Sequence, residues 1–293
     1  MSSLSLKPLS PIMGTEVTGI DLGTPIDKAV VAELRRALDE TSLLVIRDQK
    51  LSAAQQVALS RCFGDLEIYP MTDFTLREHP EVLIVSTVQE NGKPIGIVDA
   101  GQYWHSDSSW RAVPSLGSLF YARELPPEGG DTLFVNMHAA YDALPEDLRE
   151  RLAGMMADHD YARRNAALSA QVGGRPKLTT EQKSANPPVA HPVVRTHSGT
   201  GRPALFINHG FTARILGIPE EESDMLLTLL FAHVLEPRFM YRHQWRSNDL
   251  VFWDNRALIH RATPLPPGTR RTMHRTTIKG EPPVAWHKTT PAL

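Results

Sequence analysis

The chain has 293 residues, 41% of them apolar and 22% charged, with a net charge of −2. That is enough apolar material for one sizeable core, and neither charge nor clustering supplies the basic surface that nucleic acid requires. The single cysteine, Cys62, rules out an intrachain disulfide. No basic-then-apolar leader opens the chain and no run nears the roughly 18 apolar residues that span a bilayer, so a reducing cytoplasm is the expected location, away from membranes.

In chain order, residues 27–41 place Val30, Val31, Leu34, Ala37 and Leu38 at helical spacing, and Ser42 to Arg47 is the short apolar run of a buried strand. Ser52 followed by Gln55 predicts a capping box and a second helix ending near Phe63-Gly64. The segment 89–102, containing Asn91-Gly92-Lys93-Pro94, reads as a long loop leading into Tyr103-Trp104-His105-Ser106-Asp107-Ser108-Ser109-Trp110. On an extended strand His105 and Asp107 emerge on one side, where one metal can take both. The polar stretch 162–188, with Gly173-Gly174 and Pro187-Pro188, is a second long loop. Both have the length of loops with a function, and either could fold over a substrate as a lid. Arg195 and Phe206 lie on two β-like runs joined by a hairpin at 198–202. Between Glu220 and Leu235 the leucines, Met225 and Phe231 read as an amphipathic helix packed on the core. The apolar run at 251–253 stops at a polar turn, and His260 follows.

His105, Asp107 and His260 together make a two-histidine, one-carboxylate set, the ligand pattern of non-haem iron oxygenases. After the Pro/Gly loop that follows His260, a β-branched run begins at Arg271. Period-two alternation sends Arg271, Met273, Arg275 and Thr277 to one face. Two guanidinium groups on a buried face would each need an anion, because an unpaired buried charge costs several kcal/mol or more.

The chain resembles the Fe(II)- and 2-oxoglutarate-dependent dioxygenases of the taurine dioxygenase and dichlorophenoxyacetate dioxygenase (TauD/TfdA) family. The resemblance is carried, collinearly over nearly the whole chain, by Phe63-Gly64-Asp65-Leu66, Trp104-His105-Ser106-Asp107, Gly129-Gly130-Asp131-Thr132, His191 to His197, Trp253-Asp254-Asn255-Arg256 with His260, and Arg271 with Arg275. It implies that His105, Asp107 and His260 hold Fe(II), and that Arg271 and Thr132 bind the distal carboxylate of 2-oxoglutarate. Arg275 is left for an acidic group on a small anionic substrate, whose pocket would include Tyr69, Ser108, Trp110 and Phe211. It also implies O2 as oxidant, succinate and CO2 as co-products, and a homo-oligomer, dimer or tetramer. From pattern alone the fold class is α+β; the double-stranded β-helix (jelly roll) core with flanking helices, as a single domain over residues 1–293, comes from the resemblance. Tyr69 stands where the taurine enzymes carry a histidine, and the surroundings of Asn165 where they carry a phenylalanine, which points away from taurine itself. A sulfonate, alkyl sulfate or aryloxy or alkyl carboxylate is the expected substrate. A zinc hydrolase using the same three ligands, or a non-catalytic organic-acid-binding protein on the same scaffold, is the alternative.

Overall fold

Ser42 to Arg47 is apolar without alternation because the strand it forms, Leu43–Ile46, is covered on both sides. Successive side chains alternate across the pleat. Leu44 and Ile46 join the core formed with helices Lys28–Thr41 and Ala53–Arg61, while Leu43 and Val45 face a second core with Phe120, Phe134, Trp253 and Met273. The neighbouring strand Leu250–Asp254 divides in the same way: Leu250 and Phe252 lie on the helix side, Val251 and Trp253 on the other. Each side chain so enclosed contributes about 1.5–3 kcal/mol relative to exposure.

The computed structural model describes residues 4–69, 72–98, 101–170 and 177–287. Its largest sheet has eight strands, in the spatial order Ser5–Pro8, Thr15–Thr18, Leu43–Ile46, Leu250–Asp254, Ser115–Glu124, Thr272–Lys279, His79–Ser86 and Thr75–Leu76. Only the pair Thr15–Thr18 and Leu43–Ile46 is parallel; the other neighbours run antiparallel. A three-stranded sheet, Met240–His243, Thr132–Asn136 and Leu258–Ala262, contributes Phe134 and Leu258 to the core shared with the larger sheet. The candidate site lies between these two sheets. Helix Glu220–Val234 closes a third core with Leu226, Leu227, Leu230 and Val234.

Local signals in the sequence become local structure. Asp27 caps the first helix by accepting from the Val30 N–H, and the Ser52/Gln55 capping box is formed in both directions. The hairpin at 198–202 joins the antiparallel strands Val194–Thr196 and Pro203–Leu205.

Four expectations are corrected. Segment 89–102 holds a two-stranded hairpin, Gln89–Glu90 with Lys93–Pro94, turning on Asn91-Gly92 with both residues at positive φ; residues 99–100 lie outside the described residues. Segment 162–188 is not one long loop: it holds most of helix Tyr161–Ser169 and the short helix Thr180–Ser184, with 171–176 outside the described residues. Short polar helices lack the apolar stripe by which periodicity is recognised. Met225 and Leu229 are exposed, at 62% and 51%, because the buried face of their helix runs through Leu226, Leu230 and Val234. Finally, His105 and Asp107 do not share a strand, as described next.

Candidate active site

His105 forms an isolated antiparallel bridge to His260, in the middle of the strand Leu258–Ala262. The two backbones exchange both hydrogen bonds, His105 N–H to His260 O at 3.1 Å and His260 N–H to His105 O at 2.8 Å. Directly opposed residues project on the same side, so the two rings meet with centroids 4.2 Å apart. Two histidines 155 positions apart are thus brought together by one bridge. At Gly101, whose φ is +76°, a Cβ would press on the His105 ring at 3.3 Å.

Asp107 arrives from a turn. The Asn255 amide spans it, accepting from the Asp107 backbone N–H at 3.2 Å and donating to Oδ2 at 3.4 Å. Ser118 Oγ donates to the same Oδ2 at 2.8 Å. Oδ1 is left facing His105 Nε2 at 3.6 Å and the Arg275 guanidinium at 3.0 Å. His105 Nδ1 lies 2.8 Å from the Tyr103 carbonyl, which fixes its proton there and leaves the Nε2 lone pair free. One ligand atom from each of His105, Asp107 and His260 lies within 4.8 Å of the others. Burial opposes ionisation of Asp107, but Arg275 and the neighbouring histidines hold its carboxyl well below the usual carboxylate range. Burial, reinforced by His105, pushes His260 down to about 3. An ionised carboxylate beside a His260 imidazole held neutral by burial suits a divalent cation.

The same cavity is lined by Thr132, Arg271 and Arg275. Arg271 is 5% exposed, and its Nε and Nη2 have no acceptor. Burial lowers it to about 10, with Asp131 only partly opposing, and the Asp131 carboxylate is already bonded by Arg242 at 2.6 Å. Thr132 Oγ1 accepts from Trp245 Nε1 at 3.0 Å. The chain therefore encloses an empty N–H fork beside a three-ligand metal set, and these residues fit both a divalent metal and an organic diacid.

The remaining predicted residues are placed less directly. Tyr69 packs under the Arg275 guanidinium, 5.6 Å from ring centroid to Cζ. Ser108 occupies the turn after Asp107 at φ 56°, and Trp110 packs against Tyr161, centroids 4.6 Å apart and tilted by 36°. Phe211 reaches the site through Tyr103, edge-on at 5.9 Å. None of these four lines the cavity that holds Arg271. Sequence reasoning named neither Tyr103, Ser118, Trp245 nor Gly101 as site residues. Asn255 stood inside a quoted motif, but only the fold reveals that it spans Asp107.

A family model described as taurine catabolism dioxygenase TauD, TfdA family, matches residues 5–277. The chain belongs to this family. An alpha-ketoglutarate-dependent 2,4-dichlorophenoxyacetate dioxygenase of Cupriavidus pinatubonensis is 39% identical over 286 residues, covering 94% of this chain and 97% of that one. An (S)-phenoxypropionate/alpha-ketoglutarate-dioxygenase of Sphingobium herbicidovorans is 34% identical over 281 residues, 96% of each. Among solved structures, AAD-2 in complex with Mn(II) and N-oxalylglycine superposes with a TM-score of 0.82 at 30% identity, covering 97% of this chain and all of that one. The TauD/TfdA chain described here is accordingly a non-haem Fe(II)- and 2-oxoglutarate-dependent dioxygenase that uses O2. Among the described residues no helix is long and apolar enough to cross a membrane.

Proposed function

We propose that His105, Asp107 and His260 hold the Fe(II), that Arg271 and Thr132 grip the distal carboxylate of 2-oxoglutarate, and that Arg275 receives the acidic group of a small organic substrate. The observation that carries this reading is the buried Arg271 fork with two unsatisfied nitrogens in the cavity shared with the two histidines. A planar guanidinium orients a carboxylate through parallel hydrogen bonds, which a lysine would not do. When bound, iron and 2-oxoglutarate supply oxidative decarboxylation to succinate and CO2 and hydroxylation of a substrate C–H bond.

The chain's own part is placement and exclusion of water. Ser118 and Asn255 occupy Asp107 Oδ2, which leaves Oδ1 as the ligand atom. The same Oδ1 accepts from Arg275, so an entering acid that engages Arg275 draws on a charge already in contact with the metal set. Tyr69, Ser108, Trp110 and Phe211 then form the wall beyond it. The substrate class is an aryloxy or alkyl carboxylate, an alkyl sulfate or a sulfonate. The relatives named for aryloxyalkanoates support the first of these.

In this reading the two facing sheets are the halves of a jelly roll within one domain, segments 89–102 and 162–188 border the substrate as lids, and the protein works in the cytoplasm as a homo-oligomer. The test is anaerobic reconstitution with Fe(II) and 2-oxoglutarate, followed by O2 and a panel of aryloxy acids, alkyl sulfates and sulfonates. Succinate formed in step with loss of one panel member is expected. Tightly held zinc, with no succinate from any of them, would return the site to the hydrolase reading. Against that reading, among the described residues no carboxylate lines the cavity as a general base.

A further inference from the structure

One cation near the site is not used by the chemistry above. Arg164 lies in the helix Tyr161–Ser169, and its guanidinium stacks on the Tyr103 ring with Cζ 3.7 Å from the centroid. Its Nε is buried without an acceptor, and no hydrogen bond or ion pair holds the group among the described residues. Nearby polar groups are committed elsewhere. Arg163 donates to the Thr212 and Ala213 carbonyls, both at 2.9 Å. The Asp160 carboxylate accepts from the backbone N–H groups of Ala162 and Arg163 at the start of the helix.

Tyr103 connects this cation to the metal set. Its ring lies 4.7 Å from the His105 ring, tilted by 37°, and meets the edge of Phe211. Gly210 makes room for it, since a Cβ there would fall 2.6 Å from Tyr103 Cε2. Three residues before Arg164, on the same helix face, Tyr161 packs against Trp110. The helix thus presents a ring and a guanidinium whose buried Nε has no acceptor to the aromatic wall that runs back to His105. Stacking orients a guanidinium without using its N–H groups, and one held flat, with Nε buried and unpartnered, is oriented to receive a carboxylate.

We infer that Arg164 is a second anion-binding residue beside the site, and that the substrate class is a dianion: one acid at Arg275, a flat apolar body between the two cations, and a second carboxylate or equivalent anion at Arg164. This rests on the reading of Arg275 given above. It also predicts that an aminosulfonate will suit the site poorly, because its ammonium would meet a like charge at the far end.

The test compares phenoxyacetate with 4-carboxyphenoxyacetate, by calorimetry on the protein loaded with Mn(II) and N-oxalylglycine, and by succinate formation in the Fe(II) form. The diacid should bind about tenfold or more tighter than the monoacid in the parent chain. Arg164→Ala should erase that preference, moving phenoxyacetate by less than about twofold, and Arg164→Lys should restore part of it. N-oxalylglycine affinity unchanged in each variant certifies that the fold is intact. Equal binding of the two acids by the parent chain, or equal loss of both in Arg164→Ala, overturns the inference. If neither acid binds while N-oxalylglycine does, the dianion assignment falls and the metal and 2-oxoglutarate assignments stand. If N-oxalylglycine also fails, the underlying reading falls with it.

Discussion

Among the described residues two clusters bring two histidines and one aspartate, or one histidine and two aspartates, within reach of a single cation: His105, Asp107 and His260, and Asp39, His197 and Asp254. Composition does not separate them, but hydrogen-bond satisfaction does. In the second cluster Arg256 fills the space a cation would take. It grips Asp254 through Nε and Nη2, reaches Asp39 with Nη2, and donates to Ser198 Oγ at 2.9 Å. His197 is held as the Nε2–H tautomer, donating to Asp254 at 2.9 Å while Nδ1 accepts from the Gly199 and Thr200 backbone N–H groups. The first cluster instead adjoins Arg271, with two nitrogens unsatisfied, and His260 Nδ1, buried without a partner. A closed network specifies structure; an open one beside a cavity is waiting for a ligand.

The largest effect expected from this contrast is at Arg256. Despite its burial, Asp254 is held below the usual carboxylate range, chiefly by the Arg256 charge. Arg256→Ala leaves that fully buried carboxylate with only His197 and the backbone N–H of residue 256, with no guanidinium against it, so unfolding free energy in urea should fall by about 3–5 kcal/mol. Arg271→Met should behave in the opposite way. It removes a cation that has no anion in the ligand-free protein, so stability should hold or rise, while affinity for 2-oxoglutarate or N-oxalylglycine drops by about 2–5 kcal/mol. A large stability loss in Arg271→Met with unchanged diacid binding would make the two clusters equivalent, and the contrast would disappear.

The next effect sharpens the comparison within the motif Trp253-Asp254-Asn255-Arg256, where adjacent residues serve different clusters. Asn255 supports Asp107 from outside the metal set, so Asn255→Ala should lower Fe(II) or Mn(II) affinity by about 10–100-fold. Equilibrium dialysis measures it, and an unchanged affinity would leave Asn255 a purely structural partner of Trp253, whose Nε1 it also accepts at 3.1 Å.

This motif also marks how far the sequence could be read. Local signals were legible because their partners lie within a few residues: the Asp27 cap, the Ser52/Gln55 box and the strand Leu43–Ile46 depend on little else. The grouping of His105, Asp107 and His260 was legible because histidine and aspartate are chemically specific. The division of Asp254 and Asn255 between two clusters was not, because it depends on strand register and on contacts to residues 148 positions away for Asn255 and 57 for Asp254. The expectation of a strand through His105 and Asp107 failed for a related reason. A single long-range bridge and a turn bring the side chains together, and alternation has no way to signal either. Met225 and Leu229 misled because apolar identity does not reveal which side of a helix meets the core.

The smallest expected effect concerns the direction of one proton. An indole N–H donates only, and a threonine hydroxyl has one proton to give. Since Trp245 Nε1 donates to Thr132 Oγ1, the hydroxyl proton must point elsewhere, and Thr132 lines the cavity with Arg271. If Thr132 binds the diacid as proposed, Trp245 presets it as a donor toward that ligand. Trp245→Phe keeps a ring against Phe120, which Trp245 meets edge-on at 5.5 Å, but frees the hydroxyl to rotate. Affinity for 2-oxoglutarate should fall by about 0.5–1.5 kcal/mol, and the loss should vanish in a Thr132→Val background. The same loss with and without the Thr132 hydroxyl would mean that Trp245 acts by packing alone, and the open cluster would then owe its donors to Arg271 without help from the sheet beside it.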